Sequence, residues 1–127
     1  MREALRLALA AFEDKKAFDI VLLDISKVAS FASYFLMCSA DSSRQMQAIA
    51  DEVEKKLKEN GIRPNHIEGY RHAEWILLDY VDVVVHIFSK SARAYYDLER
   101  LWRDGKRLDA QKLLNTRARK VPASSRK

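Results

Sequence analysis

A chain of 127 residues with 48% apolar and 32% charged side chains suits one domain that buries roughly two-thirds of its unfolded surface. Its single cysteine, Cys38, excludes an internal disulfide, and no apolar run approaches the ~20 residues of a membrane helix, so a cytoplasmic location is the default expectation. The net charge of +5 is uneven, because residues 106–127 hold eight Lys/Arg and one Asp, which leaves 15 basic and 17 acidic side chains for residues 1–105; a body so near neutrality lacks the basic footprint of a general nucleic-acid binder.

Residues 3–16 predict a first helix, with Leu5, Ala8, Leu9 and Phe12 on one stripe. Charges at Glu3 and Arg6 interrupt MREALRLALAAF, which carries no export-type cleavage pattern. FDIVLLDI, 18–25, is β-branched and apolar on both faces, as a strand covered on both sides must be. After the connector SKVASFA, a second covered strand runs over SYFLMCS, 33–39, with Cys38 as a small buried hydrophobe. The helix over 42–60 is the best-marked element. Ser42 and Gln45 fit a capping box, Met46, Ile49, Val53 and Leu57 share a face, and Asn60-Gly61 supplies the stop.

Pro64 limits pairing at the next segment, so NHIEGY, 65–70, reads as a short or edge strand. Two further strands, 74–79 and 82–88, come from AEWILLDYVDVVVHIF. Ser89 or Ser91 then caps a last helix over 91–103, with Tyr95, Leu98 and Trp102 on one face. This order predicts one domain over 1–105, an α/β fold whose mixed β-sheet of about five strands carries helices on both faces. Residues 106–127 read as a basic, solvated, flexible tail, suited at most to weak rRNA contact through phosphates.

The search for chemistry mostly excludes. Neither G-x-x-x-x-G-K-[ST] nor G-x-G-x-x-G occurs, and His66, His72 and His86 lack metal-ligand spacing, so no metal or cofactor is expected. The enzyme reading with most support is nucleotidyl transfer, in which the SADSS loop, 39–43, would hold phosphate at a helix N-terminus. Its carboxylates fail the pattern. Asp79 and Asp82 lie three apart across a turn, where aspartate is favoured for its own backbone bonds, Asp24 is solitary, and Asp41 would repel phosphate. His86, within an apolar alternation, reads as a hydrogen-bonded core imidazole. Alternation places Trp75, Leu77 and Asp79 on one face and Ile76, Leu78 and Tyr80 on the other. Trp75 and Tyr80 are of the aromatic types that anchor interfaces, and the pattern leaves core packing and a partner surface equally open for Trp75.

The runs DIVLLDISKVASFASYFLMCSADSSRQMQAIADEVEKKL, HIEGY, EWILLDYVDVVVHIF and YYDLERLW cover about residues 18–103. Together they resemble the ribosomal silencing factor family (RsfS, Iojap or YbeB-like). The resemblance implies a nucleotidyltransferase-like α/β domain without catalytic acids, hence a protein that is not an enzyme. It also implies binding to the large ribosomal subunit through its uL-fourteen protein, steric blocking of subunit joining, and repression of translation under nutrient limitation. Family members often form homodimers, and organelle relatives act in large-subunit assembly. By the same resemblance, Trp75 and Tyr80 match partner-binding positions, with Leu77 and Asp79 as more weakly carried neighbours. Two departures stand out: Val81 follows Tyr80 where the family has glycine, and Ala40 replaces a second glycine. If the turn needs positive φ, Val81 would carry strain on the order of 1–2 kcal/mol.

Overall fold

The computed structural model describes residues 2–96 and 105–113. Helix α1 (Arg2–Asp14) buries Ala4, Leu5, Ala8, Leu9, Ala11 and Phe12, the stripe expected from their spacing. It closes with Ala17 N–H donating to the Phe12 carbonyl (2.9 Å) and Lys16 N–H to that of Glu13 (3.2 Å). This pairing is the Schellman stop, and Lys16 takes the left-handed position with φ 62°. Strand β1 (Phe18–Asp24) then pairs antiparallel with β2 (Tyr34–Ala40) across a bulge between Phe18 and Val21.

Helix α2 (Ser43–Lys58) buries Met46, Ile49, Ala50, Val53 and Leu57, and Gly61 at φ 78° ends it with the same bonding as α1. Strands β3 (His66–Glu68), β4 (Trp75–Asp79) and β5 (Val83–Ser89) form an antiparallel run. β5 also lies parallel to β2, with Tyr34 beside Val83 and Ala40 beside Ser89. Helix α3 (Lys90–Tyr96) starts where expected, its cap being Ser89, whose Oγ accepts the Ala92 N–H at 3.1 Å. The expected continuation to residue 103, with Leu98 and Trp102, lies outside the described residues, as does the side chain of Tyr95.

The sheet is mixed, as expected, and has six strands in the order β3-β4-β5-β2-β1-β6, one more than the five read from the sequence. The sixth, β6 (Lys106–Leu108), comes from residues expected to lie in the tail. It pairs antiparallel with the outer edge of β1, Leu22 beside Leu108 and Asp24 beside Lys106. Leu113 follows it into the core, so the packed body extends past 105 to at least 113. KRL is too short and too charged to read as a strand. It forms one because β1 presents a row of unpaired N–H and C=O groups, and a short charged strand is a usual way to close an edge. The tail assignment for 114–127 lies outside the described residues.

Helices stand on both faces. On one, α1 and α2 cover Leu22, Leu36, Cys38, Ile76, Leu78, Val85 and Ile87. On the other, Ala92 of α3 and the connector residues Ile25, Ala29 and Ala32 cover Val21, Leu23, Phe35, Met37 and Phe88. Full burial of each such Leu, Ile or Phe side chain is worth about 1.5–3 kcal/mol, which makes these two layers the main stabilising feature. Among the described residues, no helix is long and apolar enough to cross a membrane.

Candidate partner-binding surface

Strand alternation sets up the site. Along β4 the buried side chains are Ile76 and Leu78, while Trp75, Leu77 and Asp79 are half-buried on the face that α1 and α2 do not cover. Opposite them on β5 stand Phe88, His86 and Val84. Trp75 therefore meets its cross-strand neighbour Phe88 ring on ring, with centroids 5.2 Å apart and planes 30° apart. It also reaches diagonally to His86, donating Nε1–H to Nδ1 at 3.0 Å.

His86 is 3% exposed, and burial pushes its pKa down to about 3, so the ring is neutral near pH 7. Because Nδ1 accepts, the proton sits on Nε2, which has no hydrogen-bond partner among the described residues. Phe35 packs edge-on against the imidazole at 4.6 Å, and Phe31 edge-on against Phe35 at 6.2 Å. An aromatic path thus runs along this face of the sheet from Trp75 to Phe31, which is 56% exposed. The core reading of His86 holds, with an addition that alternation could not show: the imidazole orients the indole.

Trp75 is also set from its backbone. Gly69 has φ 77°, and a Cβ there would run into the Trp75 carbonyl oxygen, so only glycine fits. The Ala73 N–H donates back to the Gly69 carbonyl (2.9 Å), which closes the turn that delivers the chain into β4. Sequence reasoning passed over Gly69, although the rarity of glycine here (three in the chain) was a usable signal.

Of the four residues expected to bind a partner, Trp75, Leu77 and Asp79 share this face and Tyr80 does not. Tyr80 lies on the opposite side, 6% exposed in the layer beneath α1 and α2. Its hydroxyl is buried without a hydrogen-bond partner among the described residues, and burial together with the nearby Glu54 carboxylate pushes the phenol up to about 12. The sheet thus separates Tyr80 from Trp75, because adjacent faces of β4 are both apolar and only one is open.

Asp79 shapes the turn, as expected, with Oδ1 accepting the Val81 N–H at 2.8 Å. Val81 stands at φ 74°, and the Asp82 N–H donates to the Tyr80 carbonyl at 3.0 Å. This i to i+2 bond at positive φ is a γ-turn, a strained geometry for any residue with a branched Cβ.

The loop that an enzyme would use is occupied by capping. Ser42 Oγ accepts the Gln45 N–H (3.0 Å), and Gln45 Oε1 accepts the Asp41 N–H (2.7 Å), a capping box whose return bond reaches the residue before the cap. Gln45 Nε2 further donates to the carbonyls of Lys15 and Lys16, both at 3.0 Å, tying the end of α1 to the start of α2. Asp24 likewise serves a turn, accepting from the Ser26 N–H and hydroxyl, and these bonds hold its carboxyl below the usual range. Among the described residues, no group of three or more His, Cys, Asp or Glu could hold a metal ion. Cys38 is fully buried, and desolvation pushes its thiol far up.

The family described as "Ribosomal silencing factor during starvation" matches residues 1–127. The chain is 43% identical over 114 residues to the ribosomal silencing factor RsfS of Halalkalibacterium halodurans, covering 90% of this chain and 97% of that one. It is 47% identical over 103 residues to the RsfS of Bacillus subtilis, covering 81% and 87%. A crystal structure of a Chromobacterium violaceum protein, 43% identical, matches with a TM-score of 0.78 over 80% of this chain and 85% of that one. A match along the whole length, identities above 40% and a shared fold agree with the motifs around Trp75: the chain belongs to the ribosomal silencing factor family.

Proposed function

We propose that this protein represses translation without catalysis, by docking on the large ribosomal subunit and occupying space that the small subunit needs. The partner in this reading is the uL-fourteen protein, met by Trp75 and Leu77 with Asp79 at the rim. Tyr80 enters only from behind, by packing under the turn that Asp79 shapes. The observation that carries the proposal is the state of Trp75. Its indole is half-buried, its N–H is already bonded to His86, and so what it offers outward is apolar surface. A large aromatic held in one rotamer loses little entropy on binding, which is what makes such residues anchors. A homodimer through this same face would compete with the ribosome for it. The basic residues beyond 113 would add a salt-sensitive rRNA contact in the cytoplasm.

Co-sedimentation with purified large subunits tests the docking. The wild-type chain pellets with the subunits, and Trp75→Ala weakens binding by about 2 kcal/mol, roughly 30-fold. Equal pelleting of wild type and a folded Trp75→Ala/Leu77→Ala variant would sink the proposed surface. Excess wild-type protein, added before small subunits, should also reduce the yield of whole ribosomes.

A further inference from the structure

The β4–β5 turn holds a valine in a backbone conformation that costs it strain, and the fold gains no burial in return. Val81 is 57% exposed at φ 74°. The backbone N–H groups of the turn are all used: Val81 N–H to Asp79 Oδ1, Asp82 N–H to the Tyr80 carbonyl, and Tyr80 N–H to the Val83 carbonyl. The Asp82 carbonyl accepts from both Ser33 N–H (2.8 Å) and Tyr34 N–H (2.9 Å), which clamps the turn to the 26–33 connector. That connector presents two more of the chain's exposed large apolar side chains, Phe31 at 56% and Val28 at 41%. By contrast, the helix stop at Gly61 needs a similar φ of 78° and uses glycine.

From these observations we infer that Val81 is a second apolar anchor for the protein partner that Trp75 meets. This rests on the docking reading above and extends it to the other end of β4. The span is compatible with one interface. A standard interface takes roughly 800 Å² per partner, a patch about 30 Å across, whereas the six steps along the chain from Trp75 to Val81 reach at most ~20 Å at ~3.3 Å per residue. At the Trp75 end, ring contacts run from the indole through His86 and Phe35 to the exposed Phe31 of the connector. The occupant is a protein face with an apolar pocket, because a branched aliphatic side chain offers nothing to a phosphate backbone. A turn whose N–H groups are all bonded suits this use, since little ordering is left to do on binding.

Binding of Val81→Gly and Val81→Asn to purified large subunits, beside their thermal unfolding, tests the assignment. Both residues tolerate positive φ, so Tm should hold or rise by roughly 3 °C, while affinity falls about fivefold or more through faster dissociation. Stability and binding moving in opposite directions is the signature of an anchor. Hydrogen exchange on the wild-type chain gives a variant-free readout, with slowed exchange at residues 79–83 when subunits are added. If Val81→Gly binds within twofold of wild type, or exchange at 79–83 is unchanged, Val81 is no anchor. Loss of binding in Trp75→Ala would then leave the docking proposal standing, whereas retention of binding in both variants removes the two together.

Discussion

The indole of Trp75 donates its N–H to Nδ1 of His86 at 3.0 Å, across a diagonal of the β4–β5 pair. One bond joins a half-buried side chain at the surface to an almost fully buried group. The imidazole must stay unprotonated at Nδ1 to accept it, and protonation would set two N–H groups against each other in a buried site.

The pH dependence of folding follows. His86 titrates at about 3 when folded and at about 6.5 when unfolded. Between these values only the unfolded chain takes up the proton, so stability is complete above pH 6.5 and falls as pH drops through this window. Between pH 7 and 5 the loss from this group is about 2 kcal/mol. Urea titrations at the two pH values should show it, and His86→Phe should flatten the difference while lowering stability at pH 7. An equal difference in the two proteins would place the effect elsewhere.

Gln45 is the hub between α1 and α2. Ser42→Ala removes one cap bond and should cost about 1 kcal/mol. Gln45→Ala removes the side-chain bonds to the Asp41 N–H and to the Lys15 and Lys16 carbonyls, and should cost more, about 2 kcal/mol. Chemical denaturation compares them, and a smaller loss for Gln45→Ala than for Ser42→Ala would contradict the hub role.

Two glycines with nearly the same φ should respond differently to alanine. Gly61 faces open space, so Gly61→Ala meets only backbone strain of about 1 kcal/mol. Gly69→Ala must also move the Trp75 carbonyl, and should cost about 2 kcal/mol or more. It should also weaken binding to large subunits, because Trp75 moves with its backbone. Thermal unfolding and pelleting, run on both variants, separate local strain from a displaced anchor.

The sixth strand carries the packed body past residue 105. A chain stopped after Gly105 loses the β6 pairing with Leu22, Leu23 and Asp24 and the burial of Leu108 and Leu113. It should be less stable than a chain stopped after Leu113 by about 2–4 kcal/mol. Equal denaturation midpoints for the two truncations would return the boundary to residue 105.

How far the residues spoke for themselves depended on range. The α1 stripe, the Ser42–Gln45 capping box and the Gly61 stop were legible because each is a contact within one or two helical turns. The grouping of Trp75 with Leu77 and Asp79 was legible too, since strand alternation is set by neighbouring peptide units. β6 was not, because KRL becomes a strand only when the edge of β1 offers it partners. Nor was the fate of Tyr80: β4 is apolar on both sides, and only the placing of α2 decided that Ile76, Leu78 and Tyr80 would be covered while Trp75 stayed half open. The same holds for His86 and Gly69, whose roles depend on strand register and on a backbone approach. Local chemistry wrote the elements and their faces, and long-range packing chose which of two apolar faces was left open.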